Sequence, residues 1–348
     1  MWVPGVRIYG FGKERTARTG ETMKAIMQER YGSPEALEFR DTARPVPARG
    51  EVLVRVHAAA VNALDWHMMR GDPYLARPMM GLRAPRATIR GRDFAGTVES
   101  VGPGVERFET GDEVFGEADG AFAEYVAAPE NALARKPARL SFEQAAAIPL
   151  AGNTALMGLG DLGQIRSGHR VLINGASGGV GTFAVQIARS FDAEVTAVCS
   201  TRNVDQVRAL GADHVIDYTD DDFTTGAARY DLIFDLVGNH SLTRMRGVLA
   251  PGGKIVLSGG GVYRGGSVFG PMALIIAGKL AARFVSWVEV LEAVQSAENL
   301  TVLGELAEAG KLRPVIERAY PLGEAAAAIR HLETEHARAK IVLTVQGP

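Results

Sequence analysis

Between Asn174 and Phe183 the chain reads NGASGGVGTF, directly after the apolar run RVLI. Little side chain stands in that stretch. Gly178 lets the backbone approach a pyrophosphate, and Gly181 lets a helix pack tightly on the preceding strand. With Ala176, Ser177, Gly179 and Val180 they form a turn from strand to helix. The first N–H groups of such a helix, and its partial positive charge, suit phosphate oxygens. Ala176 stands where the G-x-G-x-x-G fingerprint has its first glycine, so the match is a variant, and its place between a strand and a helix carries the reading. The chemistry is dinucleotide binding; the plainer alternative is a glycine-rich structural turn.

The next strand ends AVCSTRN. An NAD site usually carries Asp or Glu about 20 residues beyond the fingerprint, to hold the ribose 2′-OH. Ser200, Thr201 and Arg202 stand there instead. Hydroxyls and a guanidinium suit a 2′-phosphate, and no acid at that strand end repels it. Tyr218, closing HVIDY, is expected at the neighbouring strand tip, within reach of the same phosphate. Val237 and Gly238, and Ser258 and Gly259, lie at the ends of later strands and join the expected set. The expected cofactor is NADPH.

These residues need a frame. From residue 169, apolar strand runs alternate with short helical stretches: RVLING, GGVGTFAVQIARSF, EVTAVCS, VDQVRALG, HVIDY, YDLIFDLVG, SLTRMRGVLA and GKIVLSGG. That rhythm predicts βαβ units on a parallel sheet covered on both faces. Residues 24–150 read differently. EVLVRVHAAAV sets Val52, Val54 and Val56 against Leu53, Arg55 and His57, the period-2 pattern of a half-buried strand. GRDFAGTVESVGPGVERFETGDEVFG breaks its apolar runs with glycines, as a barrel-like β domain does. SFEQAAAIPLAGNTALMGL reads as helical, with Ser141 as cap and Glu143 in the first turn. The final run KIVLTV is expected to close back onto the first domain. VFGPMALIIAG, Val268 to Gly278, is too short to span a bilayer and predicts a buried helix, or one that roofs a pocket or meets a partner subunit.

Composition narrows the class. A formal net charge of −2 over 348 residues supplies no basic excess for nucleic acid. Cys199 is the single cysteine, so no internal disulfide forms, and a reducing cytoplasm is expected. Cys199 itself reads as a small buried strand residue. The first 22 residues lack the apolar core of a secretory signal and read as a loose arm, with a targeting peptide as the alternative.

AAAVNALDWHMMRG, GRDFAGTVESVG, AGNTAL, NGASGGVG, LGADHVIDY and AGKLRPVIERAYPL together resemble the medium-chain dehydrogenase/reductase superfamily, in its zinc-independent quinone oxidoreductase and alkenal reductase branch. The resemblance runs from about Met23 to Val345. It implies an α/β chain: a GroES-like β-rich catalytic domain, 23–150 with 286–348, into which a Rossmann NADPH-binding domain, 151–285, is inserted. It also implies a homodimer. Asn62 matches the family asparagine of the nicotinamide pocket, and Thr154 a family threonine near it. Asn62 and Tyr74 are the expected hydrogen-bond donors to substrate; a turn-forming asparagine and a packing aromatic are the plainer readings. Asp65 and Asp93 read as structural partners rather than bases.

No metal is expected. Where the zinc enzymes of this superfamily have GHE, the chain reads GRD, with Arg92 in the ligand position, and the first domain has no cysteine. A catalytic zinc needs three good ligands, which His57 and His67 alone do not supply. Without a Lewis acid to lower an alcohol's alkoxide pKa, reduction of an enone, enal or quinone is favoured over oxidation of an alcohol, because the charge delocalises. The alternatives are a metal-free carbonyl reductase and an NADPH-binding protein with little turnover, structural or sensory.

Overall fold

The structure is a computed structural model that describes residues 20–259, 272–335 and 338–345. Most of the expected arm lies outside the described residues, as does the start of the Val268–Gly278 run. Thr22, assigned to the arm, already begins a strand.

In chain order the strands are β1 (Thr22–Met27), β2 (Glu38–Ala43), β3 (Glu51–Val61), β4 (Asp93–Val101), β5 (Glu113–Glu117), β6 (Tyr125–Pro129), β7 (Leu133–Arg135), β8 (Arg170–Asn174), β9 (Glu194–Cys199), β10 (His214–Asp217), β11 (Tyr230–Asp235), β12 (Leu249–Leu257), β13 (Val288–Val290), β14 (Ile316–Pro321) and β15 (Lys340–Thr344). Two compact units form. The first comprises Met1–Asn153, Val294–Gly310 and Pro314–Pro348, and the second Thr154–Ala293 and Lys311–Arg313.

Among the described residues, the first unit carries a sheet of order β14-β15-β3-β4-β5-β7, with β6 also on β3, and β1 and β2 pair apart. The strand read from period-2 alternation is β3; Val52, Val54 and Val56 are buried, but so are Leu53 on the opposite face and Ala58–Val61, so the strand is more than half-buried. The last strand closes onto it as expected: β15 runs antiparallel to β3, Ile341 opposite Val61. Ser141 caps the helix Phe142–Ala146, its hydroxyl accepting the Gln144 N–H at 3.2 Å.

The second unit is a parallel sheet of order β10-β9-β8-β11-β12-β13. Val171, Leu172 and Ile173 of β8, and Leu232, Ile233 and Phe234 of β11, are fully buried. Each such burial contributes roughly 1.5–3 kcal/mol. The chain winds outward from β8 through β9 to β10, then crosses back to β11. The crevice beyond the carboxyl ends of β8 and β11 is therefore the switch point where such sheets take ligands. This unit extends to 293, past the expected 285, because β13 pairs with β12. The helix Met272–Ala281 forms, but Ile276 and Leu280 are 42% and 57% exposed, so burial on that face is not seen. Their exposure follows from helical spacing: Gly278 faces Leu257 and Val290, and these two point elsewhere.

Candidate functional site

The glycine turn sits at the switch point. Gly175 follows β8 at φ +89°, a backbone only glycine adopts freely. Gly178 is the N-cap of the helix Gly179–Ser190, which has no acid in its first turn. Its N-terminal charge is left for an external anion. A Cβ on Gly181 would stand 2.2 Å from the Gly175 carbonyl oxygen, so the helix start and the turn touch backbone to backbone. Ala176 is fully buried; Ser177, Gly178, Gly179 and Val180 are half-buried. This cradle fits a pyrophosphate.

At the next strand tip, Ser200 leads into a 3-10 turn, Thr201–Asn203. Thr201 and Arg202 are exposed, and Tyr218, 59% exposed, follows β10 with its N–H on the Cys199 carbonyl oxygen. The structure thus brings the tips of β8, β9 and β10 together. Two groups were not singled out in the sequence. Asn203 is buried and reaches both Ser177 and Ser200. Asp217, at the end of β10, accepts from the Thr219 N–H at 3.0 Å and its hydroxyl at 2.8 Å. Hydrogen bonds led by the Thr201 hydroxyl lower its pKa.

On the other side of the switch point, Asp235 Oδ1 accepts from Asn174 Nδ2 at 2.8 Å, Val237 N at 3.1 Å and Gly238 N at 3.0 Å. Val237 and Gly238 therefore spend their N–H groups on holding their own loop. Ser258 donates its N–H to the Asp235 backbone oxygen, and Gly259 follows at φ +101°. Thr154 is buried in the helix Pro149–Leu156.

The first unit holds a separate polar cluster. Asn62, the N-cap of the helix Ala63–Arg70, is tied down by Asp65, which accepts its N–H at 2.8 Å. Asn62 Oδ1 accepts from Lys340 Nζ at 2.6 Å, and Lys340 also reaches Asp93 Oδ2 at 3.3 Å. Asp93 accepts the Leu150 N–H as well. Lys340 is 2% exposed and Asp93 fully buried. Burial raises the Asp93 pKa against Lys340 and the Asn62 amide, which hold its charge. Glu117, directly across the β4–β5 pair from Asp93, is pushed up to about 8 by burial and by that neighbour. Asp65 thus partners a backbone N–H, and Asp93 a backbone N–H and Lys340 rather than an arginine. Tyr74 lies on an exposed 3-10 turn, with the Arg77 guanidinium 4.4 Å over its ring. A groove of about 590 Å³ between Phe108, Pro137 and Gly304 shares none of these residues.

Comparison with known proteins decides the family. The profile of the alcohol dehydrogenase GroES-like domain matches residues 48–138, and that of a zinc-binding dehydrogenase matches 210–343. A chloroplastic quinone oxidoreductase of Triphysaria versicolor is 34% identical over 343 residues, covering 93% of this chain and 99% of its own. The chloroplastic NADPH-dependent alkenal/one oxidoreductase of Arabidopsis thaliana is 32% identical, covering 92% and 79%. A solved quinone oxidoreductase of Coxiella burnetii superposes with TM-score 0.81 at 32% identity, over 94% of this chain and all of that one. The chain belongs to the medium-chain dehydrogenase/reductase superfamily, in its quinone oxidoreductase and alkenal reductase branch.

In this dehydrogenase/reductase the position of the zinc-enzyme histidine is filled by a buried ion pair. Arg92 Nη1 donates to Asp119 Oδ1 at 2.8 Å, and its Nε lies 3.9 Å from Glu117 Oε2. His57 is 3.0 Å from the Thr97 hydroxyl and stacks on Phe142, while His67 Nδ1 is 3.0 Å from the Asp72 carbonyl oxygen. Among the described residues no three His, Cys, Asp or Glu converge as metal ligands. Cys199 is buried, which pushes its thiol up to about 11. Lys340 had one faint signal in the sequence: a charge heading the apolar run KIVLTV.

Proposed function

We propose that this dehydrogenase/reductase is an NADPH-dependent, zinc-independent reductase of the C=C bond of α,β-unsaturated carbonyls, or of quinones. The observation that carries the reading is the cradle at the switch point, flanked at the β9 tip by Ser200, Thr201 and Arg202 with no carboxylate on that tip. The relatives, a quinone oxidoreductase and an NADPH-dependent alkenal/one oxidoreductase, support the same reaction class.

When bound, the reduced nicotinamide supplies a hydride. The protein then has only to steady charge that spreads through a conjugated substrate. Asn62 Nδ2 already serves Asp93 and makes a long 3.4 Å bond to the Ala60 carbonyl oxygen; on binding, that weak bond is exchanged for one to the substrate oxygen. Lys340, bonded to the opposite end of that amide, polarises it and strengthens the donor. Tyr74 supplies a second, more exposed donor. The described residues offer no ligand set for a Lewis acid, and a delocalised enolate needs none; water returns the proton. A homodimer in the cytoplasm belongs to the same reading. It rests on the family and the lone cysteine.

Deuterated NADPH tests the chemistry. An enone should give the saturated ketone with deuterium on its β-carbon, and Asn62→Ala should lower kcat about 10²-fold or more, the usual cost of a donor to developing charge. Deuterium on a carbinol carbon overturns the reading, as does the absence of turnover across a panel of enones and quinones.

A further inference from the structure

Asn203 is 5% exposed, and its amide spans two strand tips. Nδ2 donates one hydrogen to Ser177 Oγ at 3.0 Å and the other to Ser200 Oγ at 3.2 Å. Its backbone N–H bonds the Ser200 carbonyl oxygen at 2.9 Å, which fixes the side chain's origin. Ser177 lies in the glycine turn after β8, and Ser200 begins the turn after β9. The two loops are thus bridged by one side chain.

Hydrogen-bond accounting gives that bridge a direction. A serine hydroxyl has one hydrogen to give and two lone pairs to receive. Each serine oxygen here receives a hydrogen from Asn203, so each keeps its own O–H to offer elsewhere. Asn203 lies buried beneath two half-buried serines. The reversed amide would turn both hydroxyl hydrogens inward and leave a buried NH₂ without acceptors. The orientation present leaves only the Oδ1 acceptor without a partner, the better tolerated of the two.

We propose that Asn203 is a positioning residue: it holds Ser177 and Ser200 as a pair of outward hydroxyl donors for the phosphates of the dinucleotide, and so strengthens the preference for a 2′-phosphorylated cofactor. The inference rests on the NADPH reading above. Ser177 belongs to the cradle that fits a pyrophosphate. Ser200 adjoins Arg202 at the strand tip assigned to the 2′-phosphate. Hydroxyls whose protons are already turned outward need no reordering when an anion arrives.

The test measures dissociation constants for NADPH, NADH and the fragment 2′,5′-ADP by calorimetry, together with the melting temperature of the ligand-free protein. Asn203→Ala should weaken NADPH and 2′,5′-ADP at least tenfold and NADH, which loses only the Ser177 donor, by a clearly smaller factor, with ligand-free melting shifted by only a few degrees. Asn203→Asp should weaken them further, since its carboxylate draws both hydroxyl hydrogens inward. In a Ser177→Ala/Ser200→Ala background, Asn203→Ala should add no further loss. Should Asn203→Ala not fold, the double serine variant carries the test alone, and must itself show the selective loss of NADPH. Equal weakening of NADPH and NADH, or additive losses in the cycle, overturns the role of Asn203 while leaving the NADPH reading intact. A parent protein that binds NADPH no tighter than NADH overturns both.

Discussion

Single residues carry opposite risks in the two units. In the first, Lys340 is the only cation bonded to Asn62 and to the buried Asp93 among the described hydrogen bonds. Lys340→Met would strand that carboxyl. Breaking such a buried pair typically costs about 3–5 kcal/mol, whereas removing both charges costs far less. Urea unfolding should therefore show a large loss for Lys340→Met, largely restored in Lys340→Met/Asp93→Asn. Asp65 gives a pH-dependent counterpart. Burial pushes it up to about 6, against roughly 4 in an unfolded chain. The folded state keeps a proton that the unfolded chain releases between those values. Its contribution is complete below about pH 4 and is lost as the pH rises through 6. Asp65→Asn keeps an acceptor for the Asn62 N–H but does not titrate. Its melting temperature relative to the parent should rise between pH 5 and pH 7.5; an offset that stays constant refutes the assignment. Such residues were unevenly legible. The glycines and the STR run announce their chemistry by type and spacing. Lys340 does not, because its partner Asn62 is 278 residues away in sequence. Asn203 was equally silent, since nothing in the run CSTRN says which side chain turns inward.

Among elements, the strand–turn–helix from β8 into Gly179–Ser190 is the one whose geometry tolerates least. Gly181→Ala must displace backbone, because its Cβ would meet the Gly175 oxygen at 2.2 Å and Ala176 carbon at 2.6 Å. NADPH binding should weaken at least tenfold. Gly160, with open space around it, is the control: Gly160→Ala should leave binding unchanged and melting equal or slightly higher, as a helical Gly→Ala change adds up to about 1 kcal/mol. Equal effects of the two substitutions, measured by calorimetry and thermal melting, would sink the argument. Strong periodicity is what made elements readable. The long apolar strands and the Ser141 cap stood out. β13 did not, because three residues, Val288–Val290, are too few to show a period, and its membership in the sheet is decided by pairing with β12. The run at Met272–Ala281 left two readings open, a buried helix or one with an apolar face toward a pocket or partner, because an apolar run states hydrophobicity, not what covers it; the exposure of Ile276 and Leu280 counts against the first.

For the whole molecule, the residues at the zinc-enzyme positions predict how the protein responds to chelation. Arg92, in the ligand position, is committed to Asp119, and no three His, Cys, Asp or Glu among the described residues converge. Purified protein should hold no stoichiometric zinc by elemental analysis, and a chelator should leave its rate unaltered. About one zinc per chain, with activity lost on its removal, would defeat this. No helix among the described residues is long and apolar enough to cross a membrane.

The position of β15 also sets a timetable. It lies between β14 and β3, yet it is made last. At roughly 5–20 residues per second, the 278 residues separating Asn62 from Lys340 take about 15–55 seconds to synthesise. Through that interval Ala58–Val61 is a bare strand edge, open to any other extended chain. The parallel sheet, built from the nearly continuous stretch Thr154–Ala293, has no such wait. The nascent chain should therefore carry a nearly finished second unit while the first is still incomplete, leaving that edge of β3 open for about 15–55 seconds. Pulsed hydrogen exchange on stalled chains checks this: amides of β8 and β11 should be protected before those of Ala58–Val61, and simultaneous protection would contradict it.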